Sequence, residues 1–244
     1  MMNNPNPDHF TYYGDLVGIS SLYASSPQGA YNALNEYYNE VFSGLAAYYE
    51  GQDGRDVEMF SDSLVVRGDD PVSFIETMAP VYGNLLSKGL LLRGGMVSGK
   101  FSLDVRVTAK NFQKWLPDSD ALARAAGMER IAKGARFLVE SNLAVGMMSP
   151  RPSWLSPQGY FSDPQPGQKN LIFQRSLAPL GSGASWEVLY PVLAGIENIQ
   201  IDSWIERLDY LALVAGDEFS KHHKETQALL RHSKIRLAHH RGEQ

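Results

Sequence analysis

Cysteine is absent from the chain, and that one gap removes disulfides and thiolate metal centres together. A metal held by protein atoms must then use carboxylate, imidazole or backbone oxygen, a donor set that suits magnesium or manganese rather than structural zinc. Basic excess is missing too. With 22 Lys and Arg against 27 Asp and Glu the net charge is -5, and no dense Lys/Arg block rides on an amphipathic helix. Neither nucleic acid nor an anionic membrane surface is therefore an expected partner. No apolar run reaches the roughly 18 residues of a membrane span, and the first residues carry Asn and Pro but no basic stretch of the signal-peptide kind. A cytoplasmic location is the expectation.

What is there is the composition of an ordinary globular chain, 43% hydrophobic and 20% charged over 244 residues, enough for a sizeable core in about one to two domains. Residues 10–14 read as a strand. After them Tyr31, Leu34, Tyr38, Val41, Leu45 and Tyr48 recur at three- and four-residue steps and predict an amphipathic helix, its Tyr stripe facing the core. Residues 57–60 and 64–66 read as a hairpin about Asp62, residues 72–86 return to helical spacing, and residues 90–97 form a nearly all-apolar strand. The order β, α, β-hairpin, α, β is the split βαβ pattern of ferredoxin-like sheets. The predicted fold is α+β, with helices on one face of such a sheet.

Two carboxylates carry the chemistry. Asp15 ends the first strand before the turn Leu16-Val17-Gly18-Ile19-Ser20, and Asp62 closes the hairpin. Adjacent antiparallel strands bring side chains together across the ladder. Two converging carboxylates, completed by substrate phosphates and water, are the minimum for magnesium, and a pair of ions can activate an attacking oxygen and neutralise a leaving one. The glycine lets backbone approach an anion, with amides turned to phosphate oxygens. Ser20 and Ser21 add hydroxyls. Either Asp taken alone reads rather as an ordinary strand-end residue, and Gly18 as a residue that only permits a turn.

Taken in order, Asp15-Leu16-Val17-Gly18-Ile19-Ser20, Phe60-Ser61-Asp62-Ser63-Leu64, Leu92-Arg93-Gly94-Gly95-Met96-Val97-Ser98-Gly99 and Leu122-Ala123-Arg124-Ala125-Ala126-Gly127-Met128-Glu129 resemble the motifs of the class III nucleotidyl cyclases over roughly residues 8 to 140. The resemblance implies formation of a 3′,5′-cyclic nucleotide in a homodimer with its active sites at the interface. It assigns two magnesium or manganese ions per site to Asp15 and Asp62, and the triphosphate to Leu16, Val17, Gly18, Ile19 and Ser20. Two departures stand out. Where the family carries an Asn and, four residues on, a transition-state Arg, this chain has Ala123 and Gly127, leaving Arg124 or Arg93 to supply the charge. Where purine-specific members carry Lys or Glu before the second Asp strand, this chain has Asp56, preceded by Tyr48 and Tyr49 as candidates to stack on a smaller base. With no sensor domain appended, the chain is most like the pyrimidine cyclases of bacterial anti-phage (Pycsar) systems. The implied substrate is CTP or UTP, and the cyclic product acts on a separate effector. An adenylate or guanylate cyclase, a degenerate nucleotide-binding dimerisation module, and an α+β interaction protein remain alternatives.

Residues 1–148 are expected to form the cyclase-like core, and 149–244 a Pro-rich arm and C-terminal helical extension packed on the same domain. Between 149 and 186 lie Pro150, Pro152, Pro157, Pro164, Pro166 and Pro179, the composition of a long loop, within which residues 169–173 read as a strand. From Ser203, helical spacing through Trp204, Leu208, Leu211, Ala215 and Phe219 predicts one helix to about Arg236. Five of six histidines fall there and read as solvated tail residues.

Overall fold

The computed structural model of the chain describes residues 9–109, 112–131, 133–147, 173–175, 186–214 and 217–240. In chain order the elements are β1 (Phe10–Leu16), α1 (Ile19–Ser25), α2 (Pro27–Tyr49), β2 (Asp56–Phe60), β3 (Ser63–Gly68), α3 (Pro71–Ser87), β4 (Leu92–Ser98), β5 (Leu103–Ala109), β6 (Phe112–Pro117), α4 (Ala121–Ile131), β7 (Phe137–Val139), α5 (Ser141–Met147), β8 (Phe173–Arg175), β9 (Trp186–Val188), α6 (Tyr190–Leu193), α7 (Asn198–Val214) and α8 (Asp217–His240). The seven-stranded sheet runs β2-β3-β1-β4-β7-β9-β8, while β5 and β6 pair only with each other. All neighbours in the large sheet are antiparallel except β4 and β7. The fold is the α+β arrangement expected.

Local chemistry explains why the long helices begin where they do. Ser26 precedes Pro27 and its hydroxyl accepts the Gly29 amide at 3.2 Å, while Asp70 precedes Pro71 and accepts the Ser73 amide at 2.9 Å. A capping oxygen satisfies an amide with no intrahelical partner, and proline at the first turn loses no bond.

Strand alternation then sorts β1 between two environments. Phe10 and Tyr12 face α2 and α3, where Phe10 stacks on Phe74 at 4.9 Å and Tyr12 meets Phe74 and Phe137. The α2 residues that complete this core are Tyr37, Val41, Leu45 and Tyr48. Tyr31 is 64% exposed and Tyr38 38%, so the expected Tyr stripe holds for its second half only. The buried row runs back from Tyr48 in steps of three, four and four, because eleven residues make about three full turns and ten fall about 80° short, so the row reaches Tyr37 and misses Tyr38. The expectation of helices on one face only is corrected here: on the opposite face of the sheet α4 packs against Tyr13 and Val97 through Ala121, Ala125 and Met128. Asp15 shares that face with Tyr13.

The C-terminal part diverges from the sequence reading. Instead of one helix there are two, α7 and α8, running antiparallel: Gln227 donates to Asp209 at 2.7 Å and Lys234 pairs with Asp202 at 2.7 Å. Strand β9 pairs with β7, and Arg136, 2% exposed, donates to both oxygens of the fully buried Glu187 (2.6 and 2.8 Å) and reaches Glu225 on α8 at 2.7 Å. Most of the Pro-rich stretch 149–186, including residues 169–172, lies outside the described residues. Among the described residues no helix is long and apolar enough to cross a membrane.

Candidate active site

Both aspartates line one cavity of about 410 Å³ at the ends of β1, β3 and β4. Antiparallel register explains the meeting. Asp15 stands opposite Ser63 on β3 and opposite Arg93 on β4, and Asp62 sits in the two-residue turn just before Ser63. The turn is pinned because the Leu16 amide donates to the Asp62 carbonyl at 3.0 Å, and Ser61 takes φ 55° to make it.

Hydrogen bonding orients the first carboxylate. Ser63 donates its hydroxyl proton to Asp15 Oδ1 at 3.3 Å, so at the 2.9 Å contact between Tyr13 and Ser63 the phenol is the donor. On the other oxygen, Arg93 Nη2 lies 3.5 Å from Asp15 Oδ2, while Arg93 Nε is ion-paired with Glu129 of α4. Burial raises the Asp15 carboxyl above the usual carboxylate range, the negative charge of Asp62 adds to it, and Arg93 and Ser63 oppose. Glu129, only 4% exposed, is likewise raised by burial, against the pull of Arg93. An isolated pair of acids this close repels itself, which is the condition a bound cation relieves.

Leu16, Val17, Gly18, Ile19 and Ser20 form the adjoining wall. Gly18 takes φ 90°, which an L side chain rarely adopts, and α1 starts at once after it. One part of the expected amide cradle is corrected here. The Leu16 and Val17 amides already donate to the carbonyls of Asp62 and Leu91, at 3.0 and 2.9 Å, because they continue the strand pairing. The amides of Ile19 and Ser20 open α1, where no intrahelical carbonyl can reach them.

Three expected residues stand elsewhere in the chain. Arg124 donates to Asp120 at 3.2 Å, to the Ser98 carbonyl at 2.7 Å and to Glu140, at the far end of β4 from Arg93. Its guanidinium is engaged in closing α4 onto the sheet, roughly 17 Å along the strand from Asp15. Asp56 begins β2, pairs with Arg67 at 3.4 Å, and lies at the opposite end of the hairpin from Asp62. Tyr49 ends α2 and packs on Phe42 and the core. None of the three lines the cavity. Ala123 is exposed on α4, and the space beside Gly127 is open.

The sequence reading missed four residues of the cavity wall: Arg130 and Lys133 after the α4 core contacts, and Phe219 and His222 from α8. Phe219 rests against Gly18. His222 is 7% exposed and accepts the Gly134 amide at Nδ1, 3.0 Å, so the expectation of a solvated tail histidine fails at this position. Burial, reinforced by Arg93 and Lys133, pushes its pKa down to about 4. The basic stretch was legible; its partner, 88 residues earlier, was not.

No protein-family model matches the chain, and no curated protein does. Among solved structures it is similar to a monomeric double mutant of the guanylyl cyclase domain of the RhoGC fusion protein from the aquatic fungus Blastocladiella emersonii, at 12% identity over 74% of this chain and 93% of that one, with a TM-score of 0.50. It is also similar to the catalytic core of a rhodopsin-guanylyl cyclase with converted specificity in complex with ATPαS, at 12% identity over 74% and 94% of the two chains, again with a TM-score of 0.50. At that identity the likeness speaks for architecture: the chain has the α+β fold of the class III cyclase domains.

Proposed function

We propose that this protein is a nucleotidyl cyclase that converts a nucleoside triphosphate to its 3′,5′-cyclic monophosphate and pyrophosphate. One observation carries the reading: two strand-end carboxylates, a glycine turn with free helix-start amides, and Arg93, Arg130 and Lys133 all border the same cavity. One of the similar structures holds a nucleotide analogue, ATPαS, on the same fold. The carboxylates fit magnesium or manganese. Both are hard oxygen donors, burial and then the neighbouring Asp62 charge raise Asp15, and among the described residues no group of three His, Cys, Asp or Glu side chains forms that could hold a metal alone, so substrate oxygens complete the shell. When bound, two such ions favour the alkoxide form of the 3′-oxygen and offset charge on the departing pyrophosphate.

The protein's own part is placement and charge. Ser63 and Arg93 hold the Asp15 carboxylate from its two oxygens, and the Asp62 carbonyl, bonded to Leu16, fixes the second carboxylate relative to the first. The Ile19 and Ser20 amides receive phosphate oxygens. Arg93, Arg130 and Lys133 neutralise the triphosphate and the charge that develops as the α-phosphate is attacked in line. Glu129 keeps Arg93 from closing fully onto Asp15.

The finer reading rests on the sequence resemblance: a pyrimidine substrate, CTP or UTP, and a cytoplasmic product that triggers a separate anti-phage effector. A C2 homodimer with two shared clefts belongs to the same reading and gives Arg124, Tyr49 and Asp56, remote from the cavity within one chain, a partner site to face. Residues 1–148 form its core and 149–244 its extension. Incubation of folded protein with each of the four nucleoside triphosphates and manganese tests both levels. Cyclic product with any base supports the cyclase, product mainly from CTP or UTP supports the pyrimidine assignment, and no product with any base refutes both. The open position at Gly127 favours a second reading, a nucleotide-binding module without turnover. Pyrophosphate release that disappears in Asp62→Ala excludes it.

A further inference from the structure

We propose that His222 of α8 donates a hydrogen bond to a phosphate of the ligand in this cavity, making the C-terminal helix part of the binding site. The proposal rests on the triphosphate reading of the cavity and extends it to a residue outside the stretch that resembles the cyclases. Three observations converge on the imidazole. It lines the cavity together with Gly18, Arg93 and Lys133. Its Nδ1 accepts the Gly134 amide at 3.0 Å, which fixes the tautomer: in a neutral ring whose Nδ1 accepts, Nε2 carries the proton. That Nε2–H has no protein partner among the described residues.

The helix is built to hold the ring in place. Thr226 donates to the His222 carbonyl at 2.8 Å and accepts the Ala135 amide at 2.9 Å, so two successive amides of the α4–β7 connection bind two side chains on one face of α8. Gly134 takes φ 78°, and a Cβ there meets Thr226 Oγ1 at 2.6 Å and the His222 carbonyl at 2.7 Å, so the close approach needs glycine. One turn earlier Phe219 sits on Gly18, with a ring carbon 2.8 Å from where a Cβ would stand. Helix α8 thereby spans from the phosphate-side turn to the end of α4. With its pKa pushed down to about 4 the ring is neutral at pH 7. It therefore contributes a directed donor to a wall whose positive charge already comes from Arg93, Arg130 and Lys133.

Inorganic tripolyphosphate with magnesium is the probe, measured by titration calorimetry on the whole chain. In His222→Asn the amide oxygen stands where Nδ1 was and keeps the Gly134 bond, but nothing donates at the Nε2 position. The expected result is affinity weakened tenfold to a hundredfold with the melting temperature unchanged; His222→Gln, which retains a donor near Nε2, recovers part of it. Affinity in His222→Asn equal to wild type, or no tripolyphosphate binding by the wild type, overturns the proposal. Should His222→Asn unfold, 15N NMR of the wild-type imidazole decides: an Nε2 resonance that moves on adding tripolyphosphate supports the bond, and one that stays refutes it. The outcome is separable from the cyclase reading. Cyclic product with a His222→Asn variant of normal affinity sinks this inference alone, whereas histidine-dependent tripolyphosphate binding without cyclic product sinks the cyclase and keeps the anion site.

Discussion

Replacing Gly18 with Ala probes the turn and the helix above it together. The residue has φ 90°, and moving an L side chain into that region costs about 1–2 kcal/mol. The new methyl also lands 2.8 Å from Phe219 Cε1, so the ring must leave its rotamer, at about 0.5–1.5 kcal/mol. Gly18→Ala is therefore expected to lose about 2–3 kcal/mol, seen as a fall of roughly 5–10 °C in melting temperature for a chain of this size. Only the second contribution depends on Phe219. In a Phe219→Ala background the same glycine change should cost about 1 kcal/mol less, because the methyl then has room while the backbone strain persists. Urea unfolding of wild type, both single variants and the double variant gives the coupling directly. Additivity within about 0.5 kcal/mol refutes the claim that α8 presses on this turn, since residues in contact couple by more than that.

Arg124→Ala should lose about 1–2 kcal/mol of stability through its bonds to Glu140 and Ser98, discounted for its partial exposure, with cyclic-nucleotide kcat reduced less than tenfold; a larger kcat loss at unchanged melting temperature returns this residue to the chemistry. Arg130→Ala, at an exposed position, should leave the melting temperature alone and lower kcat/KM for the nucleotide at least tenfold. Mixing Arg130→Ala with Asp62→Ala chains should restore nothing if both side chains serve one cavity, and recovered activity shows that Arg130 serves the partner. His222 is harder to protonate in the folded state, at about 4, than its ordinary 6.5. Between those values the unfolded chain binds the proton and the folded one does not, so this contribution rises with pH from 4 to 6.5 and is complete above. Asp15 and Glu129, with raised values, act in the opposite direction. Since His222→Asn is expected to match wild type near neutral pH, wild type should fall below it by about 2 kcal/mol as the pH drops from 6.5 to 4; a difference that stays flat contradicts the buried, neutral imidazole.

Local pattern carried the N-terminal half of the molecule because its signals are short in range. Alternation in β1, the hairpin about Asp62 and the apolar β4 are each set by neighbours within a few residues, and antiparallel register then delivers Asp15, Asp62 and Arg93 to one place. Arg124 and Asp56 show the complementary limit: each has a suitable charge near a suitable motif, but strand length carries it to the far end of the sheet from the Asp15 cavity of the same chain. The β5–β6 hairpin went unread, and α7 and α8 were merged, since Leu211 and Phe219 keep one helical phase across the break. His222 and Thr226 had no legible role at all. Their partners are the amides of Gly134 and Ala135, and nothing in a basic helical sequence announces a backbone it will meet 88 or 91 residues away.

That distance along the chain also orders events during synthesis. The strand bearing Asp15 emerges before both of its neighbours, gains them when residues 63–68 and 92–98 arrive, and stays uncovered on its Gly18 side until α8 has left the ribosome, roughly two hundred positions later. Contacts of such span form slowly. A polypeptide that stops short of residues 217–240 thus has the acidic pair without its cover, and the proposed nucleotide chemistry should switch on only once that helix is made.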